Sequence, residues 1–431
     1  MGNPSLHIQA MPYVPGRARG PLRWGTDADL SGAIAVVSQA EITGFSGMPA
    51  GIVIVEGAPF SHTLLALLGW GVPTVIVEAK QARDFSAGLE VMLDGAAGIV
   101  TTARDASGGS EWETPLPQPV CEPVKTADGI PVYLRASIRN VEGARQAVNM
   151  GAAAIGLVRT EFLEPEHGVE PDRAFYARTL DALCSAAMPL AVTVRLLDLA
   201  PDKRPRWLPP FAGMGTALGL QGARLFDKQP VSRVFAAQLQ ALAQLPADYD
   251  LRLLIPYLSR YEELLHWRGR IRHQLGRALP VGAMIETPSG ALDIGLWLDA
   301  VDFVAVGCND LMQCIFAADR DQPALRNYLD PYAPLLYRLF AQMAKAIDGR
   351  MHRVQLCGLL PQLQGVLPAL LGLGYQAFSV EATLIPHLSR VIRRTEIDAA
   401  ASLVHSVCAA NTSGQVKQLL TQNMARVYHC E

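Results

Sequence analysis

Six side chains in this 431-residue sequence could carry chemistry, and most of them fall at the ends of apolar runs. Glu286 closes VGAMIE, where an unpaired carboxylate would be expensive to bury, so it calls for a cation. Asp310 follows the next such run, VDFVAVGCN, directly after Asn309. Two hard oxygen donors, completed by water and substrate oxygens, suit Mg2+. Internal salt bridges to nearby arginines are the alternative reading of the same two acids. Arg195, in AVTVRLL, and Arg224, in GLQGARLF, could offer forked donors to a phosphate or carboxylate, which lysine cannot match. Taken singly, each also reads as a surface or ion-pair arginine, and Lys203, in LLDLAPDK, reads as a solvated loop residue.

Cys357 lies in VQLCGLLP, where the following glycine permits a tight turn that could leave the thiol at an open end. A small buried packing role is the plainer reading of a lone strand cysteine. His62 sits in VIVEGAPFSHTLLALLGWGVPTVIV: a strand ends at Glu56, Gly57 and Pro59 turn the chain, and Ser61 can cap a helix with His62 in its first turn. A phosphoryl group on that imidazole would meet unpaired backbone N–H groups and the positive end of the helix dipole. A surface cap or a packing histidine would have the same sequence position.

These residues need a scaffold, and the periodicity supplies one. VYLRAS, AAIGLV, AVTVRLL, RLLIPYL, GAMIE, DFVAV, RVQLC and AFSV read as eight strands separated by amphipathic helical patterns. That alternation predicts an α/β fold closing as a (β/α)8 barrel over residues 131–431, with an open doubly wound sheet as its rival. Arg195, Glu286, Asn309, Asp310 and Cys357 then gather at strand C-terminal ends, where barrel enzymes keep their sites. Upstream, AIAVVS, GIVIVE, PTVIVE and LEVML with the helix HTLLALLGW describe a smaller α/β unit over 1–110. Between them, 111–130 reads as a linker inside a Thr-, Ser-, Gly-, Pro- and acid-rich stretch that begins near residue 101.

Composition narrows the function classes. Half the residues are hydrophobic and 18% charged, so the chain has ample core and is not disordered. The balance of 40 acids to 37 bases, without a basic block, argues against nucleic-acid binding. Seven cysteines without CxxC pairs or zinc spacing suit reduced thiols and a cytoplasmic setting. No apolar run reaches the ~18 residues of a membrane span, so no membrane insertion is expected.

The motifs together resemble the phosphoenolpyruvate-utilising family, which includes enzyme I of the sugar phosphotransferase system, pyruvate phosphate dikinase and phosphoenolpyruvate synthase. GAPFSHTLLALLGWGVPTVIV looks like the family's swivelling phosphohistidine motif. GAAAIGLVRTEFL, TVRLLDLAPDK, LGLQGARLF, VGAMIETPSGALD, VDFVAVGCNDLMQCIFAADRD, VQLCGLL and LGYQAFSVEATLIPHLSRVIR follow in family order, so the likeness runs from about residue 10 to 400. The resemblance implies a swivelling phosphohistidine domain followed by a phosphoenolpyruvate-binding barrel. It implies that His62 is phosphorylated and that Glu286 and Asp310 hold Mg2+. Arg195, Arg224, Arg320 and Asn309 would bind the phosphate and carboxylate of phosphoenolpyruvate, and Cys357 would protonate the enolpyruvate carbon. A homodimer through the barrel is likewise implied.

The departures matter too. Phe60 stands where the family has Thr, Gln221 where it often has Arg, and Gly358-Leu359 where it has Gly-Glu. Neither the carrier-docking insertion of enzyme I nor the ATP-grasp domain of the dikinases is evident. The expectation is therefore a Mg2+-dependent phosphotransferase that moves the phosphoryl group from phosphoenolpyruvate to His62, with release of pyruvate. The group would then pass to a separate carrier protein or small acceptor. One subunit of a split synthase or dikinase working with a separate ATP-grasp chain, and a non-catalytic phosphoenolpyruvate-binding regulator, are the alternatives.

Overall fold

The computed structural model describes residues 6–26, 29–102, 119–210 and 218–429, the side chains of 202 and 425–429 excepted. Positions 111–118 of the expected linker lie outside the described residues. The chain divides into two units, Met1–Gln118 with Arg320–Leu329, and Pro119–Asp319 with Asp330–Glu431.

The first unit is built on one mixed sheet. Its strands are β1 (His7–Gln9), β2 (Met11–Val14), β3 (Arg17–Trp24), β4 (Ile34–Ser38), β5 (Gly51–Val55), β6 (Thr74–Val77), β7 (Glu90–Asp94) and β8 (Ile99–Thr102). They lie in the order β1-β8-β7-β3-β4-β5-β6-β2. The strands β3 to β6 run parallel, whereas β2, β7, β8 and β1 pair antiparallel at the two sides. In the centre, β4, β5 and β6 read as near-continuous β-branched runs because both sheet faces are covered. Ile34, Val36, Val53, Val75 and Val77 form part of the resulting core. Strand β8 takes Thr101 and Thr102 from the start of the compositionally biased stretch, because they pair with β7 and β1.

The second unit is a closed barrel of eight parallel strands. They are β9 (Tyr133–Ile138), β10 (Ile155–Arg159), β11 (Val192–Arg195), β12 (Leu251–Leu258), β13 (Val281–Ile285), β14 (Val304–Gly307), β15 (Val354–Cys357) and β16 (Ala377–Glu381). Each pairs with the next, and β16 closes on β9 with Ala377 opposite Tyr133 and Glu381 opposite Ser137. Closure excludes the open doubly wound sheet. Helices between the strands cover the outside, each turning an apolar stripe inward. In Pro334–Ile347 the stripe is Leu336, Tyr337, Phe340, Met343 and Ile347, at spacings of three and four. Asn140 and Asp172 cap the two helices that follow β9 and β10, each accepting a backbone N–H. Among the described residues no helix is long and apolar enough to cross a membrane.

Candidate active site

Parallel strands end together, so the barrel gathers its strand-end side chains at one mouth. Arg195 is the last residue of β11, Glu286 follows β13, and Cys357 ends β15. Asn309 and Asp310 lie in the first turn of the helix Cys308–Phe316, directly after β14. The β14–β15 register puts Gly307 level with Cys357. Two glycines make room for these groups. A Cβ on Gly307 would come within 2.6 Å of Glu286 Cγ, and one on Gly358 within 2.7 Å of Asn309 Oδ1. Gly358 also has φ +109°, which L side chains rarely adopt, and the turn lets the Leu359 N–H donate to Asn309 Oδ1 at 3.0 Å.

Arg195 is the most heavily paired side chain of this mouth. Its guanidinium forms ion pairs with Glu161, with Asp198 Oδ2 at 2.8 Å and with Glu286 Oε1 at 3.7 Å. Burial works against its charge, but Asp198, Glu161, Glu286 and Asp310 outweigh that and hold the pKa above the ordinary arginine value. Lys203 corrects its sequence reading. It is not a solvated loop lysine; its ammonium is buried on Asp198 Oδ2 at 2.6 Å, since the short turn Pro201–Lys203 brings it back to Asp198. Glu161 and Asp198 were missed by the reading of the sequence. Glu161 follows β10 within two residues and could have been found by the same strand-end rule, whereas Asp198 lies in a loop whose path only the fold supplies.

Glu286 is almost completely buried, and its Oε2 accepts the Tyr257 N–H at 2.9 Å. Burial first, then the charges of Asp198 and Asp310, push its carboxyl up to about 8 against the pull of Arg195 and Lys203. Cys357 packs with Leu157, Leu254, Met284, Phe303 and Ala305. Burial pushes its thiol up to about 12, although Arg195, Arg159 and Arg135 favour the thiolate. The group is therefore a protonated thiol at neutral pH, suited to giving a proton rather than to nucleophilic attack. Arg224 is half-buried and oriented by two hydrogen bonds, to Gly219 O at 3.2 Å and Ser259 Oγ at 3.0 Å.

His62 and Arg320 meet in the first unit. After β5 the chain turns through Glu56, at φ +57°, and Gly57, where a Cβ would lie 2.8 Å from both Ile54 Cγ2 and Leu64 Cδ2. The helix His62–Trp70 then begins, with Ser61 Oγ accepting the Leu64 N–H at 3.3 Å. The His62 N–H donates to Asp321 Oδ1 at 3.0 Å, and His62 Nε2 lies 2.5 Å from Arg320 Nη2. An anionic oxygen thus already sits at this helix N-terminus, and a guanidinium at the imidazole edge.

The donor set of the barrel mouth fits Mg2+. Glu286 and Asp310 offer hard carboxylate oxygens, and the mutual repulsion of Glu286, Asp198 and Asp310 is what a divalent cation relieves. Among the described residues no group of three or more His, Cys, Asp or Glu could hold a metal alone, so the remaining ligands would be water or substrate oxygens.

The family described as PEP-utilising enzyme, PEP-binding domain, matches residues 118–397, well over half of the chain. The chain belongs to this family. Three relatives extend the likeness beyond the barrel. It is 28% identical over 387 residues to the multiphosphoryl transfer protein of Rhodobacter capsulatus, covering 86% of this chain and 46% of that protein. For the multiphosphoryl transfer protein of Xanthomonas campestris the values are 29% over 390 residues, 86% and 46%. For the phosphoenolpyruvate-protein phosphotransferase of Haloferax volcanii they are 28% over 392 residues, 86% and 68%. The chain spans about half the length of the multiphosphoryl relatives it matches.

Proposed function

We propose that this PEP-utilising protein is a Mg2+-dependent phosphotransferase that takes the phosphoryl group of phosphoenolpyruvate onto His62, releases pyruvate, and passes the group to a separate acceptor. The observation that carries this reading is the barrel mouth, where Arg195, Glu286, Asn309 and Cys357 come together from separate strand ends of the family's phosphoenolpyruvate-binding domain. Glu286 and Asp310 would hold Mg2+, which supplies positive charge to the substrate's phosphate and enol oxygens when bound.

Arg195 and Arg224 supply planar, permanently charged donors for the phosphate and carboxylate, and Arg195 is pre-oriented by its acids before any ligand arrives. Asn309 is fixed by the Leu359 N–H and adds a neutral polar contact. The His62 imidazole attacks phosphorus in line as the phosphorus–oxygen bond to the enol breaks, leaving the electron pair on that oxygen. Cys357 Sγ–H then gives its proton to the methylene carbon, and the product is pyruvate. On His62 the phosphoryl group would take the helix N-terminus and the Arg320 guanidinium as partners.

Incubation with phosphoenolpyruvate and Mg2+ should give an acid-labile adduct of one phosphoryl group by intact mass spectrometry, together with pyruvate. His62→Ala should give no adduct. Binding of phosphoenolpyruvate by calorimetry with neither adduct nor pyruvate would instead mark a non-catalytic binding protein.

A further inference from the structure

Tyr257 touches three parts of the barrel mouth at once. It lies near the end of β12, is 4% exposed, and holds φ +47°, a left-handed backbone that a bulky residue keeps only where its surroundings enforce it. Gly222, itself at φ +51°, lies against it: a Cβ there would come to 2.6 Å from Tyr257 Cβ and 3.3 Å from Asp198 Oδ1. The unusual backbone aims the Tyr257 N–H at Glu286 Oε2, 2.9 Å away. The ring lies under the guanidinium carbon of Arg224 at 5.1 Å, within range of a cation–π contact. The phenol lies beside the Gln221 side chain and the Cys314 thiol. Cys314 stands four residues after Asp310 on the helix Cys308–Phe316, so both side chains share one face.

We propose that Tyr257 is a positioning residue of the phosphoenolpyruvate site, holding Glu286 and Arg224 in one fixed frame. This rests on the function proposed above. A tyrosine that merely filled the core would also be buried, but it would not need a left-handed backbone, and its ring face, hydroxyl and N–H would not each meet a different part of the mouth. The ring does for Arg224 what a second acid could not do here. It orients the guanidinium without neutralising it, leaving the charge for an anionic substrate.

The test uses the full chain carrying His62→Ala, so that phosphoenolpyruvate binds without transfer, with affinity read by calorimetry in Mg2+. Adding Tyr257→Met, which keeps the bulk but removes the π face, should weaken binding by about tenfold. Tyr257→Phe keeps the ring and the backbone N–H and should retain most of the affinity. In an Arg224→Gln background, Tyr257→Met should add little further loss, because the ring would act through that arginine. Parent-like binding by Tyr257→Met, equal weakness of Tyr257→Phe and Tyr257→Met, or additive losses with Arg224→Gln would each overturn the positioning role. Failure of the parent itself to bind phosphoenolpyruvate would overturn the functional reading on which the role depends.

Discussion

Glu286 is the residue on which the electrostatics of the barrel turn. A carboxyl with an ordinary value of 4.5 stands at about 8 in the fold because it is buried beside Asp198 and Asp310. The folded state thus holds a proton that the unfolded chain has already released above pH 4.5. The stability linked to this proton is fully present below 4.5 and is lost as pH rises through about 8. Without metal, the melting temperature of the wild type should therefore fall, relative to Glu286→Gln, between pH 4.5 and 8. Mg2+ should shrink that fall by replacing the proton as counter-charge, and a wild-type curve parallel to Glu286→Gln throughout would refute the assignment. At the same scale, the raised Cys357 thiol stays protonated over the same range, which is the state a proton donor needs.

The strand-to-helix turns decide whether these groups meet. After β14 the chain must pass close to Glu286 before starting the helix that carries Asn309 and Asp310, and Gly307 is the residue that allows it. Gly307→Ala would drive a methyl to within 2.6 Å of Glu286 Cγ, so either the turn or the carboxylate must shift. Displacing a group at a preorganised site by 1 Å can cost on the order of 100-fold in rate. The expected result is a pyruvate-release rate at least about tenfold lower with a melting temperature close to wild type, and an unchanged rate would show that the close approach does not matter. The period-2 and period-3.6 patterns made the strands and helices legible, because each element records locally which of its faces is buried. They could not give the left-handed conformation at Tyr257, which a β-prone LIPYL run conceals.

For the molecule as a whole, the family match covers the barrel, and the longer alignments reach into the first unit as well. Our proposal requires that unit to carry His62 to the barrel mouth and then to an acceptor. Labels on the two units should give a broad or multi-peaked distance distribution in solution that phosphoenolpyruvate and Mg2+ redistribute. A single narrow distance that ignores ligand would refute the swivel. A homodimer through the barrel and the identity of the acceptor belong to the same proposal, and sedimentation of the full chain would test the first of these.

The sequence by itself determined the eight-strand alternation, the strand-end positions of Arg195, Glu286, Asn309, Asp310 and Cys357, and the Ser-His helix start. Each of these is written in local periodicity and residue type. Only the tertiary structure decided that Lys203 is buried on Asp198, that Glu161 and Asp198 pin Arg195, and that Tyr257 joins Arg224 to Glu286. Lys203 and Asp198 share one loop after β11, whereas the other pairings run between a strand and a loop, or between neighbouring strands, and depend on the register of the closed barrel. Burial then raises the energetic stake of each pair, because a charge removed from water must find its partner where the fold has put it.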